Sequence, residues 1–399
     1  MCACSTHNHH DNSRANTHIH KAISRLDLPP YNYLNDDEHG VIGKAQATVY
    51  PMGVGMGATW SSDTVHEVGA AIGVEARSTH NVLADKSGNS CASKSTGNPT
   101  ANGCGITLYA PNINLVRDPR WGRAEEVFGE DPHLTSELAV AIVTGMQGNE
   151  EGKTHAADGG RLMAGACCKH YAVYSSENIP IDRQKFNVNV SARSLHETYL
   201  PAMRACVHRA KATHVMCSYN AVNGKPTCAH NELLNDVLRK QWGFDGFVVS
   251  DYDAWINLKT THNYVSTFEE AAAVGINAGM DQEGGFGTYS AVDAMPAALA
   301  SGSVSPATVK ESFRRLMRIR LRLGMFDPPA SVHPVGITWH TNNTVTYFDP
   351  LIHYACLRAR NMSCTHVYMH AHAHTNVHFI RPIRPTLQRS SVSHRTRSL

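Results

Sequence analysis

No apolar run in the chain approaches the roughly 18 residues of a membrane-spanning helix. The start, MCACSTHNHHDNSR, lacks the apolar stretch of a secretion signal. Charge is sparse and balanced: 18% of residues are charged and the net charge is +2. A nucleic-acid binder needs a basic footprint, which is missing. Neither a membrane nor a nucleic acid is therefore expected as a partner. No GxGxxG follows a strand pattern and no GxxxxGKS or GxxxxGKT occurs, so a nucleotide would lack its cradle. HExxH is absent too. The His-rich start has the composition of a metal binder but no ligand spacing. No cofactor and no metal are expected.

What remains is a globular composition, 42% hydrophobic over 399 residues. That length holds one large barrel with extensions, or two to three ordinary domains. The 11 cysteines are ambiguous. Cys217 and Cys228 flank a turn-like segment, and Cys91 and Cys104 flank a loop rich in Gly, Ser and Asn. Both pairs are candidate disulfides. The alternative is that Cys167, Cys168, Cys206 and Cys217 are small buried hydrophobes. Sequons at Asn189, Asn342 and Asn361 are candidate glycosylation sites.

Residues 1–22 read as a disordered extension with little to bury. From Ile23 the pattern alternates. Helical spacing spans 62–82, 132–147, 192–212, 233–241 and 305–323. Short apolar strands read at 106–109, 163–173, 214–217 and 247–249. Phe268 to Ala273 reads as a helix, with a further short strand expected at Gly275 to Ala278. This rhythm of strand, polar tip and helix implies an α/β fold, a TIM-type (β/α)8 barrel or a parallel sheet, over 23–330. Residues 331–399 have no clear period, and no acidic residue follows Pro350. They read as a disordered tail.

The most informative stretch is Gly243 to Trp255, GFDGFVVSDYDAW. An apolar run there ends on Ser250 and Asp251, and the C-terminal ends of parallel strands carry chemistry. Asp251 is either a catalytic carboxylate or a turn and capping residue. Other strand tips offer Arg123, Lys169 with His170, and Tyr219 with Asn220. The cluster NDDEHG at 35–40 is either a site loop or a solvated turn. Converging cations, an amide and one carboxylate suit a neutral, polyhydroxylated ligand, and Trp121, Tyr171, Tyr219, Tyr252 and Trp255 could cover a sugar ring. Glycoside hydrolysis needs two carboxyl groups. Asp251 is a candidate nucleophile, expected to be ionised by neighbouring cations. A Schiff base on Lys169 and a thiol nucleophile at Cys167 or Cys168 are weaker alternatives.

At these residues the sequence resembles glycoside hydrolase family 3, on its β-xylosidase and α-L-arabinofuranosidase branch. The resemblance rests on YNYLNDDEHG (31–40), APNINLVRDPRWGRAEEVFGEDP (110–132), ACCKHYAVY (166–174), HETYLPAMRACV (196–207), VMCSYNAVNGKPTC (215–228), GFDGFVVSDYDAW and RLGMFDPP (322–329). It implies a TIM-type barrel, an oligosaccharide or glycoside substrate and an extracellular or secretory location. It implies Asp251 as the nucleophile of a retaining mechanism that releases terminal β-D-xylosyl residues. Arabinofuranosides and β-glucosides are alternative substrates. It further implies that Asp36, Arg123, Lys169, His170, Met216 and Tyr219 bind sugar, and that Glu126 orients Arg123. Departures matter as well. Glu38 stands where the family has leucine, and Asp36 where it has glutamate. The sandwich domain that supplies the family's acid/base glutamate has no counterpart after Pro329. An incomplete barrel with impaired turnover is therefore expected, with a carbohydrate-binding remnant or a non-functional product as the alternatives.

Overall fold

Phe247–Tyr252 is an inner strand of a five-stranded parallel sheet. In chain order the strands are β1 (Thr107–Leu108), β2 (Gly165–Tyr171), β3 (His214–Cys217), β4 (Phe247–Tyr252) and β5 (Gln282–Gly284). They lie side by side in that same order, each parallel to the next. This is the neighbour rule of a βα barrel. Among the described residues the sheet curls without closing, so the architecture is an incomplete (β/α)8 barrel. The computed structural model describes residues 19–20, 23–26, 28, 31–41, 47–86, 105–149, 161–178, 181–285, 290–327 and 332. Cys91, Cys104, Asn342, Asn361 and, apart from the buried Val332, the expected C-terminal tail lie outside them.

Helices fill the connections. They are α1 (Ser62–Lys86), α2 (Pro132–Gln147), α3 (Pro201–His208), α4 (Phe268–Ala278) and α5 (Pro306–Arg322). Three begin on proline, whose missing N–H costs nothing in a first turn. The expected single helix over 192–212 is divided. A π-helical turn, Leu195–Tyr199, precedes Pro201, where the chain restarts as α3.

The expected strand at 275–278 is the clearest correction. Those residues form the last turn of α4. Thr267 and Glu270 close a capping box at its start, and Gly279 ends it at φ 112°. Gly275 is not a turn residue. A Cβ there would sit 2.1 Å from Trp255 Nε1, so the glycine lets the helix lie against the indole. The strand comes later, at Gln282–Gly284.

Three other features depart from the sequence reading or add to it. Ile19–His20 pairs antiparallel with Tyr31–Asn32, inside the stretch expected to be disordered. Cys168 is joined to Cys206, a pair expected only as buried hydrophobes, which ties β2 to α3. Cys217 is joined to Cys228. Between this second pair, Ala221–Val222 and Lys225–Pro226 form a hairpin around Asn223-Gly224. Both turn residues have positive φ, which the Asn-Gly pair tolerates. Asn189 is exposed.

Side-chain alternation sets the interior. His214 stacks on Phe247 with ring centroids 4.7 Å apart, and Tyr33 meets Phe247 edge-on at 5.6 Å. Phe247, Val249 and Asp251 share one face of β4 by the two-residue period. The face that packs the barrel core thus carries Asp251 at its C-terminal end.

Candidate active site

The C-terminal ends of β2, β3 and β4 surround a cavity of about 260 Å³. Asp36, Arg123, Glu126, Lys169, His170, Met216, Tyr219 and Asp251 all line it. These are every residue that the family resemblance assigned to sugar binding, to the nucleophile, or to orienting Arg123. Tyr252, one of the aromatics expected to cover a sugar ring, also lines it, and so do Tyr109 and Arg183, which were not singled out.

Lys169 and His170 are consecutive, so a regular strand would send them to opposite faces. A bulge resolves this. Cys168 opposes Val215, yet Tyr171 opposes Cys217, so β2 spends one residue more than β3. The irregularity turns both side chains to the cavity. The chain leaving β1 runs alongside β2, with Ile113 N–H donating to the Lys169 carbonyl at 2.7 Å. That path delivers Asn112 and Asn114 beside Lys169 and His170.

The charges form two groups linked by Asn112. Arg123 makes a bidentate contact to Glu126, with both N···O distances 2.6 Å. Lys169 Nζ lies 3.0 Å from Asp36 Oδ1 and 2.6 Å from Glu38 Oε1. Asn112 donates from its amide to Glu126 and from its backbone N–H to Glu38, each at 3.1 Å. Burial works against both cations, but their carboxylate partners hold Arg123 and Lys169 firmly protonated. Burial also opposes the charge on Glu126, and the Arg123 bonds outweigh it, holding its pKa low. The polar cluster at 35–40 is thus part of the site, not a solvated turn. Glu38, where the family pattern has leucine, is the second carboxyl group behind Lys169, and burial raises its pKa against the pull of that lysine.

Asp251 is almost fully buried. Its Oδ1 accepts the Tyr252 N–H at 2.8 Å. Its Oδ2 has no hydrogen-bond partner of good geometry among the described residues, with His170 Nε2 3.4 Å away and the Tyr219 hydroxyl near enough to the carboxyl to bond it loosely. The cations expected to favour the ionised form are present, and burial works against them. Burial raises its pKa, and it outweighs the lowering by Arg123, the Tyr252 N–H, Lys169 and Tyr219. Burial, then Arg123 and Lys169, push His170 well below the ordinary histidine value, so the ring is neutral.

Glu283 was also missed. It ends the wall beside β4, where Ser250 Oγ accepts the Gly284 N–H at 2.8 Å. Its carboxylate accepts from Ser290 Oγ and from the backbone N–H groups of Ala291 and Val292 at 3.0 and 3.1 Å. Burial still dominates and raises its pKa from 4.5 to about 7. The folded state therefore holds this proton after the unfolded chain has released it. Stability contributed by the proton is complete below pH 4.5 and is lost as pH rises to 7, by about 3 kcal/mol. Urea midpoints measured across that window should fall with pH, and Glu283→Gln should flatten the fall. An unchanged slope in the variant would assign the pH dependence elsewhere.

Strand ends that bring a buried carboxylate and a lysine to one cavity, joined by an arginine from the connection after β1, are where barrel enzymes place their chemistry. Comparison with known proteins narrows the class. The family described as "Glycosyl hydrolase family 3 N terminal domain" matches residues 90–319. A β-xylosidase/α-L-arabinofuranosidase of Medicago sativa subsp. varia is 36% identical over 328 residues, covering 79% of this chain and 38% of that protein. A β-D-xylosidase of Arabidopsis thaliana is 36% identical over 317 residues, covering 76% and 37%. A solved family-3 exo-β-xylosidase, bound to a xylobiose aziridine probe, superposes with TM-score 0.68 at 29% identity, covering 87% of this chain and 41% of that one. A Listeria innocua β-glucosidase with glucose gives 0.60 at 30% identity, covering 74% and 36%. The chain belongs to glycosyl hydrolase family 3, through its N-terminal domain. It spans well under half the length of these relatives.

Proposed function

We propose that this chain binds a terminal β-D-xylosyl residue in the cavity and attacks it with Asp251. The observation that carries the reading is Asp251 Oδ2: buried, facing the cavity and free of a well-formed hydrogen bond among the described residues. A carboxylate in that state is a nucleophile waiting for an electrophilic carbon. Asp36, Arg123 and Lys169 hold the sugar hydroxyls, Tyr219 stands beside the nucleophile and Met216 packs the wall. Oδ2 forms a bond to the anomeric carbon as the bond to the leaving oxygen breaks, giving a covalent glycosyl-enzyme. Water then cleaves that ester with retention of configuration. The xylosidase names of the relatives support the sugar. The two disulfides support an oxidising, extracellular or secretory setting.

A binding-only site is the second reading, and one observation favours it. The other lining carboxylates, Asp36 and Glu126, are committed to Lys169 and Arg123. Each is engaged by a cation, so neither is turned to a leaving group.

Mass spectrometry after exposure to 2-deoxy-2-fluoro-xylosyl fluoride tests the proposal. The reagent carries its own leaving group, so attack needs no acid. An adduct mapping to Asp251 is the expected result. A folded chain without an adduct supports the binding-only reading.

A further inference from the structure

Asn114 is buried beside His170 and makes three contacts with it. Its Oδ1 accepts the His170 backbone N–H at 2.9 Å, and its Nδ2 donates to the His170 carbonyl at 2.8 Å. These two opposite backbone groups fix which end of the amide is oxygen. The same Oδ1 lies 3.0 Å from His170 Nδ1. An amide oxygen only accepts, so Nδ1 must carry the proton. The ring is neutral, which leaves Nε2 with a lone pair. Nε2 then accepts from Arg123 NH1 at 3.4 Å.

The consequence falls on Asp251. Nε2 lies 3.4 Å from Oδ2. In the other tautomer the Nε2–H would lie across that 3.4 Å from Oδ2, short of a well-formed hydrogen bond as the side chains stand, and a small turn of the ring or the carboxylate would close it. We infer that Asn114 is a positioning residue that holds His170 as the Nδ1–H tautomer and so keeps the Asp251 Oδ2 lone pair free for attack. The inference deepens the nucleophile reading and rests on it in its second half. Charged groups facing the ring are Arg123, Lys169, Arg183 and Asp251. Three of these four are cations, so they oppose a doubly protonated ring, and the tautomer is the remaining choice. Asn114 makes it.

The test combines long-range ¹H–¹⁵N spectra of the histidine rings with the rate of Asp251 labelling by the fluoroxylosyl fluoride. His170 is assigned by the signal lost in His170→Gln. The wild-type chain should show a protonated Nδ1 and a bare Nε2. Asn114→Leu removes the acceptor. The ring should then populate the Nε2–H tautomer, and labelling should slow about tenfold, the worth of one hydrogen bond that attack must break. Asn114→Asp restores an acceptor but adds charge. It should recover labelling at high pH and lose it as the ring becomes doubly protonated and bonds Oδ2. A merely structural role for Asn114 would move stability without this pH-dependent rescue. A wild-type Nε2–H signal overturns the inference, and so does wild-type labelling in a folded Asn114→Leu. If Asn114→Leu does not fold, the wild-type spectrum and Asn114→Asp still decide. A chain with the Nδ1–H signature that never labels refutes the nucleophile reading and leaves the tautomer assignment standing.

Discussion

Asp251→Ala should lower turnover of an activated aryl β-xyloside by on the order of 10⁴-fold or more, the scale of losing a residue on which a covalent mechanism depends. Loss of the charge should not weaken the fold. Asp251 is buried, and burial raises its pKa above the ordinary carboxylate value. Its charged form therefore costs the folded state stability, and the neutral amide introduced by Asp251→Asn relieves that cost. Activity lost with the urea midpoint kept or raised is the expected pair of results. A midpoint that falls in Asp251→Asn would contradict the burial cost. The acidic limb of the wild-type pH profile gives a second check. Attack needs the carboxylate, so the rate should fall as pH drops through a pKa above that of a free aspartate. A limb at or below the ordinary aspartate range would contradict the burial seen here. In the cavity left by Asp251→Ala, a small anion such as azide should restore part of the rate by attacking in the missing group's place.

Much of this site was legible because strand ends are readable. Asp251, Lys169, His170 and Tyr219 each follow or end an apolar run, and a parallel fold gathers such ends at one mouth. The convergence of Asp36 and Arg123 was not readable from spacing, since both sit on long connections. Arg123 was counted as a strand tip and Asp36 stood in an ambiguous polar cluster, and only the motif resemblance gave either a role. The bulge that turns both Lys169 and His170 inward depends on the register of two strands, which a single strand's sequence does not record. Asn112 and Asn114 were missed although a signal existed: two amides at alternate positions just past a strand, in PNIN. Glu38 was noticed only as a departure. Its burial next to Lys169 gives it a contact that an exposed glutamate would lack. The misread strand at Gly275 has the same origin. Glycine is a turn signal by default, and here the indole of Trp255 had claimed the space.

The leaving group should decide between catalysis and mere binding. A dinitrophenyl xyloside departs as a stable phenolate and needs no proton. Xylobiose departs as a sugar alkoxide and needs one in the transition state. A retaining enzyme takes that proton from a second carboxyl about 5–5.5 Å from the nucleophile, with its pKa raised. Among the lining residues Glu126 is held low by Arg123, and Asp36 is paired with Lys169. Glu38 and Glu283 have a raised pKa but not the place, since Glu38 lies behind Lys169 at 2.6 Å and Glu283 faces Ser290 and two backbone N–H groups in the wall. This chain should therefore cleave the aryl glycoside while losing about 10²–10⁴-fold on xylobiose, beyond the difference in intrinsic reactivity. Rates compared across a series of phenols of rising pKa would measure it as a steep dependence on the leaving group. A flat dependence would place an acid at the cavity after all. It would then have to come from residues outside those described or from a second chain. Titrating the flat rate against protein concentration separates those two, because only the second is bimolecular.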